Sequence, residues 1–344
     1  MSTDPDRRRL LKAGLVAAGT IAAAPLAQTS ASPAEASPDE IPLRPLGRTG
    51  ERVSILGLGG YHLGTLATVD DAVRLVHEAI DAGVRFYDNA WEYHDGRSEE
   101  WLGRALEGRR DRVFLMTKVC THGRDRNIAL QQLEESLRRL RTDHLDLWQV
   151  HEVIYENDPE LHFAKGGVIE ALDQAKKDGK VRFVGFTGHK SPSIHLKMLA
   201  HDYAFDTVQM PLNCFDATYR SFEQQVLPEL QRRGIAALGM KSLGGSGEMV
   251  KKKAISAADA LRYAMSLTVA TTVSGIDSMK VLKQNLAIAD NFTPLTKGQM
   301  EQIRHRVAAL AADGRFERYK TTAEHDADEG RAQHGFPPMD QLAG

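Results

Sequence analysis

Four ionisable residues fall at or just beyond the ends of predicted β-strands. Asp88 ends one apolar segment and Tyr93 follows five residues later, while Lys118 and His151 end the next two segments. A lysine that closes an otherwise apolar strand needs a partner, because an unpaired buried ammonium group is costly. Asp88, on the adjacent predicted strand, is the available partner.

These side-chain types are the set that carbonyl reduction needs besides a hydride donor. A free tyrosine has a pKa of about 10, and a nearby ammonium group is expected to lower that pKa while a carboxylate holds the ammonium in place. A histidine can hydrogen-bond the carbonyl oxygen. We therefore predict Tyr93 as the general acid, assisted by Lys118, Asp88 and His151. Taken singly, these residues also fit a loop tyrosine, a structural ion pair and a hydrogen-bonded histidine.

Eight strand-like segments alternate with helical patterns from residue 53 onward. Several are continuous apolar runs, as expected for parallel strands buried on both faces. This order predicts an α/β fold, a (β/α)8 barrel of the TIM type, whose active site lies at the C-terminal ends of the strands. A doubly wound sheet is the structural alternative. The predicted strands are 53–58, 85–89, 113–119, 145–150, 181–186, 206–210, 235–240 and 271–275.

Two segments lie outside the barrel repeat. Residues 43–54 are predicted to form an N-terminal β-hairpin that can close the bottom of the barrel. Residues 313–344, after a helix near 296–312, form a polar C-terminal extension. The sequence leaves two alternatives open for this tail, namely disorder or a course over the active-site face.

The N-terminus has the features of an export signal. The paired arginines Arg7 and Arg8 precede a short run of alanine, glycine and leucine with small residues beyond it. This pattern predicts a twin-arginine signal over residues 1–36, read by the twin-arginine export machinery. An uncleaved anchor and an ordinary secretory signal are the alternatives. The remaining chain, a barrel over 37–312 and a tail over 313–344, is then expected in the periplasm without a stable membrane span.

Composition narrows the partners further. The net charge of −2 gives no reason to expect a nucleic acid or an anionic membrane. Two cysteines, Cys120 and Cys214, follow distant predicted strands and are interpreted as separate thiols. No cluster of metal ligands is found in the sequence, so no metal site is predicted.

Several motifs resemble those of the aldo-keto reductases over about residues 43–312. The segment 88–93, Asp-Asn-Ala-Trp-Glu-Tyr, resembles the Asp-x-Ala-x-x-Tyr signature of that family, and 96–106 is similar to its following helix. The strand 56–59 and the strand 145–151, which ends in a histidine, are also similar to those of the family. The resemblance implies reduction of an aldehyde or ketone with NADPH bound across the barrel mouth.

The resemblance also implies a set of cofactor-binding positions. Gly59 would lie near the nicotinamide, Gln209 would bind its carboxamide, and Thr187 stands where a serine is usual. The segment from Gly275 to Ser278, with Asn285, corresponds to the adenosine-phosphate end. The full set implied by the family is Gly59, Thr187, Gly188, Gln209, Met240, Lys241, Gly275, Ile276, Ser278 and Asn285.

The chain departs from the family pattern at several of these positions. Gly188 replaces a usual asparagine, and Met240 followed by Lys241 replaces the ring that stacks on nicotinamide. Gly275 and Val281 stand where basic residues usually grip the 2′-phosphate, although Lys280 and Lys283 lie close by. The resemblance still implies NADP as the cofactor, and these departures make NAD the alternative.

The substrate and the function itself keep alternatives. A small-molecule carbonyl is expected, in a pocket formed by Tyr61, His62, Trp91, Glu92, Trp148, Phe215 and the loop 152–166. A non-catalytic barrel that binds a nucleotide or a partner protein, as a sensor or scaffold, is the competing function. A lyase or isomerase on the same fold is a third alternative.

Overall fold

Ten strands are found in the computed structural model, which describes residues 41–120, 125–290, 292–323, 325–326, 328–333 and 335–341. Eight of them form a closed parallel barrel in the order β3 to β10, with β10 paired back to β3. This confirms the predicted (β/α)8 fold and excludes the doubly wound sheet. The strands are β1 (Leu43–Pro45), β2 (Arg52–Ser54), β3 (Leu56–Gly59), β4 (Phe86–Asp88), β5 (Phe114–Val119), β6 (Leu145–Val150), β7 (Val181–Thr187), β8 (Thr207–Pro211), β9 (Ala236–Met240) and β10 (Thr271–Gly275).

Helices surround the barrel and extend into the tail. They are α1 (Gly60–Leu63), α2 (Val69–Asp81), α3 (Arg97–Ala105), α4 (Arg126–Leu140), α5 (Asp158–Phe163), α6 (Val168–Lys177), α7 (Pro192–Ala200), α8 (Phe222–Gln225), α9 (Leu227–Arg233), α10 (Glu248–Lys251), α11 (Ala257–Ser266), α12 (Met279–Ala289), α13 (Lys297–Ala311), α14 (Arg318–Thr321) and α15 (Asp328–Gln333). Two short 3-10 turns, Arg110–Arg112 and Met339–Gln341, complete the set.

Local sequence signals account for where many of these helices begin. At α2 the hydroxyl of Thr68 accepts a hydrogen bond from the backbone N–H of Asp71. At α13 the side chains of Thr296 and Gln299 form a reciprocal capping box. Such caps satisfy N–H groups that have no partner inside the helix.

The predicted first strand, 53–58, is in fact two strands. Arg52–Ser54 pairs antiparallel with Leu43–Pro45 to form the hairpin, and the barrel strand is Leu56–Gly59. The turn of the hairpin inserts Leu46 into the bottom of the barrel, where it is fully buried among inward-facing side chains. The sequence placed the hairpin correctly, but it could not show the break at Ile55, because the buried residues run on without interruption from Val53 into the barrel strand.

Side chains alternate between the barrel interior and the helix layer, as the two-residue period of a strand requires. Phe86, Phe114, Met116, Leu147 and Leu238 belong to the interior cluster. Residues two or four positions beyond these inward-facing residues, at the C-terminal ends of the strands, therefore lie on the interior side as well. The predicted site residues that share this phase are Gly59, Asp88, Lys118, His151, Thr187, Gln209, Met240 and Gly275.

The described part of the tail lies over the C-terminal face of the barrel. Lys190, beyond β7, donates to the carbonyl oxygen of Thr322 at 2.6 Å and pairs with Asp326 at 2.7 Å. Of the two alternatives that the sequence left open, the tail therefore takes the course over the active-site face. The predicted export signal over residues 1–36 lies outside the described residues.

A fully buried ion cluster anchors this tail. Lys320 Nζ lies 2.6 Å from Asp216 Oδ1 and 3.0 Å from Glu317 Oε2, and it also donates to the carbonyl oxygen of Tyr219. Asn213, beyond β8, donates to the side chain of Glu317. One ammonium group thus pairs with two carboxyl groups, and burial raises the pKa of both Asp216 and Glu317.

Cys120 and Cys214 are both buried and form no disulfide, in agreement with the prediction of separate thiols. None of the helices in the described ranges is long and apolar enough to span a bilayer.

Replacing Lys320 should loosen the tail and lower stability. We expect Lys320→Ala to reduce the free energy of unfolding by about 3–5 kcal/mol, because it leaves two buried carboxylates without a cation. Urea denaturation measures this change, and limited proteolysis reports release of the tail. The matched control is Lys252→Ala, which removes an exposed pair with Glu248 and should change stability by about 0.5 kcal/mol or less. Equal stability of the two variants would contradict the anchoring role.

Candidate active site

A buried ion pair occupies the mouth of the barrel. Lys118 Nζ lies 2.5 Å from Asp88 Oδ1 and 2.6 Å from the carbonyl oxygen of Asn89. The two side chains are 1% and 6% exposed. The partner that the sequence predicts for Lys118 is therefore the observed one, and the ammonium group is fixed by two acceptors.

Tyr93 lies beside this pair. Its ring is 5.0 Å from Lys118 Nζ, and it makes edge-to-face contacts with the rings of His151 and Tyr61 at centroid distances of 5.8 and 5.4 Å. The strands thus bring together the four side chains that were predicted to act as a unit.

The predicted direction of the Tyr93 pKa is wrong. Burial raises the pKa of this phenol well above its usual value, and the carboxylates of Asp88, Glu92 and Glu152 raise it further. The sequence suggests that Lys118 lowers the pKa, but it does not show the carboxylates that surround the phenol in the folded chain. Tyr93 therefore carries its proton at neutral pH, which suits a proton donor.

The loop that carries Tyr93 has an unusual backbone. His94 and Asp95 both adopt left-handed conformations, with φ of 54° and 56°, and Gly96 follows with φ of 86°. Each left-handed non-glycine residue costs roughly 1–2 kcal/mol. Such strain persists only where the surroundings impose the conformation.

Contacts from three sides hold this loop. Arg139 on α4 donates to the carbonyl oxygen of Trp91 at 2.8 Å, and its guanidinium group packs against Gly96. The hydroxyl of Ser98 donates to the carbonyl oxygen of Gly60 at 2.6 Å. Tyr93 is therefore placed by α1, α3 and α4 together, although only its own motif is visible in the sequence.

His151 has a carboxylate partner that the sequence analysis did not assign to it. Its Nδ1 forms an ion pair with Oε1 of Glu92, the residue before Tyr93. Burial alone would raise the pKa of Glu92, but the charge and hydrogen bonding of His151 outweigh that effect and lower it. Glu92 is therefore a carboxylate at neutral pH.

The predicted nicotinamide positions lie around the same rim. Gly59 pairs in register with Asp88 on one side and with Gly275 on the other. Thr187 and Gln209 are register neighbours on β7 and β8. Among the described residues, Oε1 of Gln209 is buried without a hydrogen-bond partner. A buried acceptor of this kind is costly unless a ligand satisfies it.

Side chains at the predicted adenosine-phosphate end already have partners in the fold. Ile276 is fully buried, Ser278 caps α12, and Asn285 donates to the hydroxyl of Ser274 at 3.0 Å. Lys280 and Lys283 are exposed on α12. These two lysines are therefore the cations that this end of the site offers.

Comparison with known proteins identifies the family. The profile of the Aldo/keto reductase family matches residues 55–259. The chain belongs to this family. It is thus one of the NAD(P)H-dependent oxidoreductases that are built on this barrel.

Named relatives give the range of similarity. The chain is 30% identical to L-galactose dehydrogenase of Arabidopsis thaliana over 220 residues, which cover 59% of this chain and 66% of the relative. It is 30% identical to 6-dehydroglucose reductase of Novosphingobium aromaticivorans, covering 64% and 77%. The aligned region therefore spans about two thirds of the first relative.

Solved structures of the family share the fold. An aldo-keto reductase from Bacillus halodurans in its holo form superposes with a TM-score of 0.66 at 24% identity, covering 78% of this chain and 96% of that one. A Klebsiella pneumoniae aldo-keto reductase in complex with NADP and acetate gives a TM-score of 0.61 at 23% identity, covering 76% and 94%.

The departures of this aldo-keto reductase from its family have a packing reason at Gly188. A Cβ at this position would collide with the carbonyl oxygen of Val153 and would lie 2.8 Å from the ring of His195. No side chain, and hence no asparagine, fits unless the loop after β6 moves. Gly188 can therefore offer only its backbone, while the neighbouring His189 is buried and neutral because burial, followed by Lys241, lowers its pKa well below the usual value.

The residues at the end of β9 are arranged around the tail. Met240 Sδ lies 4.0 Å from the hydroxyl of Thr187, so the thioether faces the rim as predicted. Lys241 has a left-handed backbone with φ of 54°, and its ammonium group lies 5.4 Å from the ring of Tyr319 in the tail. Burial lowers the pKa of Lys241, and Lys118 adds to that effect.

Part of the predicted substrate pocket is wrong. Trp148 and Phe215 are fully buried in the layer between barrel and helices. Trp91 turns toward α4, where its indole donates to Glu135 at 2.8 Å. Tyr61, half-exposed beside Tyr93, remains at the mouth. The sequence could not separate these aromatics, because strand phase and loop direction decide which way they face.

The tight packing at Gly188 can be tested by stability. We expect Gly188→Ala to lower the free energy of unfolding by about 1–3 kcal/mol, as for other overpacked sites, and Gly188→Asn to lower it more. The control is Gly298→Ala on α13, where a Cβ meets nothing within 4 Å, and which should be neutral or stabilising by up to about 1 kcal/mol. Thermal and urea unfolding measure both. A Gly188→Asn variant as stable as the wild type would contradict this explanation.

Proposed function

We propose that this aldo-keto reductase reduces an aldehyde or ketone to the alcohol with NAD(P)H, and that Tyr93 is the general acid. The observation that carries the proposal is the buried Asp88–Lys118 pair, held against a protonated Tyr93 with His151 on its other side. A structural ion pair alone would not need a phenol and an imidazole at the same mouth.

Each residue has a defined part in the reaction. Tyr93 Oη transfers its proton to the carbonyl oxygen as the C–O double bond becomes an alcohol. The Lys118 ammonium stabilises the phenolate that is left, and Asp88 keeps that ammonium charged and oriented. His151 hydrogen-bonds the carbonyl oxygen and places it within reach of the phenol.

The rim of the barrel is suited to a nicotinamide cofactor. The bound cofactor supplies the hydride that the carbonyl carbon receives. The unsatisfied Oε1 of Gln209 can accept a hydrogen bond from a carboxamide N–H group.

We propose NADP as the preferred cofactor. Lys280 and Lys283 are exposed at the adenosine end and can pair with a 2′-phosphate. NADH is the second cofactor to compare, since neither lysine is held in a fixed geometry by a described partner.

For the substrate we favour a hydroxyl-bearing, sugar-type carbonyl. Oε2 of Glu92 is a buried acceptor without a hydrogen-bond partner among the described residues, and a substrate hydroxyl can satisfy it. The half-exposed ring of Tyr61 offers an apolar wall beside the phenol. Two similar proteins carry sugar names, L-galactose dehydrogenase and 6-dehydroglucose reductase.

Replacing Tyr93 separates chemistry from binding. We expect Tyr93→Phe to lower kcat for a hydroxyaldehyde by about 10²–10⁴-fold, because the variant lacks the proton donor. Stopped-time assays of NADPH oxidation measure the rate, and fluorescence titration with NADPH and NADH measures binding, which should be retained. Tyr203→Phe, which precedes β8 and removes a hydroxyl that donates to Asp173 away from the barrel mouth, is the control and should keep its activity.

The result also distinguishes the competing function. A wild-type protein that binds NADPH but reduces no aldehyde or ketone would favour a nucleotide-binding sensor or scaffold. A Tyr93→Phe variant with wild-type kcat would remove this residue from the mechanism while leaving the reductase activity intact.

We also propose export to the periplasm through the twin-arginine machinery, directed by residues 1–36. Because that route carries folded proteins, the chain can travel with nucleotide already bound. We expect the double variant Arg7→Lys, Arg8→Lys to remain in the cytoplasm of a host with this route, as measured by cell fractionation. Arg109→Lys, in the barrel, is the control. Periplasmic accumulation of the double variant would contradict twin-arginine export, and exported protein without bound nucleotide would contradict export of the loaded form.

A further inference from the structure

We propose that Glu92 is a positioning residue for the reaction, which fixes the His151 ring so that Nε2 is the nitrogen that faces the substrate carbonyl oxygen. The inference rests on the proposed reductase function and adds a fifth residue to it. Its basis is the ion pair between Glu92 Oε1 and His151 Nδ1 at the mouth of the barrel.

The fold gives this pair little freedom. Glu92 and His151 side chains are only 13% and 10% exposed. Glu92 lies between Trp91, whose carbonyl is held by Arg139, and Tyr93 in the strained loop. His151 is held from its backbone, whose N–H donates to the carbonyl oxygen of Val119 at 3.0 Å. Both side chains are thus held in place, Glu92 in the loop after β4 and His151 just after β6.

The chemistry of imidazole explains what the pair accomplishes. A carboxylate at Nδ1 requires a proton on Nδ1, so the other nitrogen, Nε2, is left to face the substrate. In a carboxylate–imidazolium pair both nitrogens carry protons, and Nε2–H can donate to the carbonyl oxygen. A neutral ring with its proton on Nδ1 could only accept there. The same arrangement of a carboxylate behind a histidine orients catalytic and metal-binding imidazoles in other proteins.

Several other charged groups lie close to the Glu92–His151 pair at the mouth of the barrel. The lowered pKa of Glu92 has contributions from both His151 and Lys118, so the carboxylate persists at neutral pH. Asp88, Glu152 and Tyr61 act electrostatically on Tyr93, and Lys118 acts on Glu92. His151 also interacts with the nearby His189, around which lie Lys190, Lys241 and His325.

The decisive variant is Glu92→Gln, which keeps the shape but removes the charge. We expect kcat/KM for carbonyl reduction to fall about 10–100-fold, mainly in kcat. Glu92→Asp should restore part of the activity. Asp143→Asn, which removes an exposed carboxylate from His144, is the matched control and should change neither quantity.

Two further measurements separate positioning from a merely structural effect. In a double-mutant cycle measured with an aldehyde that carries no hydroxyl group, adding Glu92→Gln to His151→Gln should cause no further loss of activity, since Glu92 then acts only through the histidine. Nitrogen-15 NMR of the histidine side chains in the wild type should show a His151 ring with a proton held on Nδ1 beside Glu92. That pattern should be lost in Glu92→Gln.

The outcomes keep the two proposals distinct. If the wild type reduces no carbonyl, the proposed function fails, and the NMR comparison still tests the pair. If the wild type is active but Glu92→Gln keeps its kcat/KM and its His151 spectrum, the positioning role is overturned. Additive losses in the double-mutant cycle would overturn it as well.

Discussion

The buried ion pair between Lys118 and Asp88 is the interaction on which the rest of the site depends. An ammonium group 1% exposed at the mouth of an apolar barrel is tolerable only with acceptors in place, and Asp88 and the Asn89 carbonyl supply them. This requirement fixes the end of β4 against the end of β5. The segment that leaves β4 is then committed to pass over Lys118, which brings Tyr93 to the ammonium group.

That geometry requires a strained loop after β4. Two left-handed non-glycine residues follow Tyr93 directly, and contacts from α1, α3 and α4 hold them there. The same turn directs Glu92 toward His151 at the end of β6. Charged side chains thus link the ends of β4, β5 and β6 around this loop. Burial and the surrounding carboxylates raise the pKa of Tyr93, so the phenol keeps its proton.

The opposite side of the mouth is built differently from the usual family pattern. Close approach of the Val153 carbonyl excludes a side chain at Gly188, and the buried Lys320 cluster draws the tail across β7 to β9. Tyr319 of the tail then lies beside Lys241. At Gly188 the loop after β6 and His195 exclude a side chain, whereas Lys241 at the end of β9 contacts the tail through Tyr319.

The sequence by itself determined the fold, the hairpin and the four residues of the predicted proton relay. Alternating apolar segments specify parallel strands, and polar residues that end such strands must meet at one rim of a closed barrel. The tertiary structure decided what depends on direction and proximity. Strand phase buried Trp148, and loop winding paired Glu92 with His151. Burial, followed by the neighbouring carboxylates, raised the pKa of Tyr93. None of these is local, because each depends on groups that lie far apart in the chain and become neighbours only when the barrel closes.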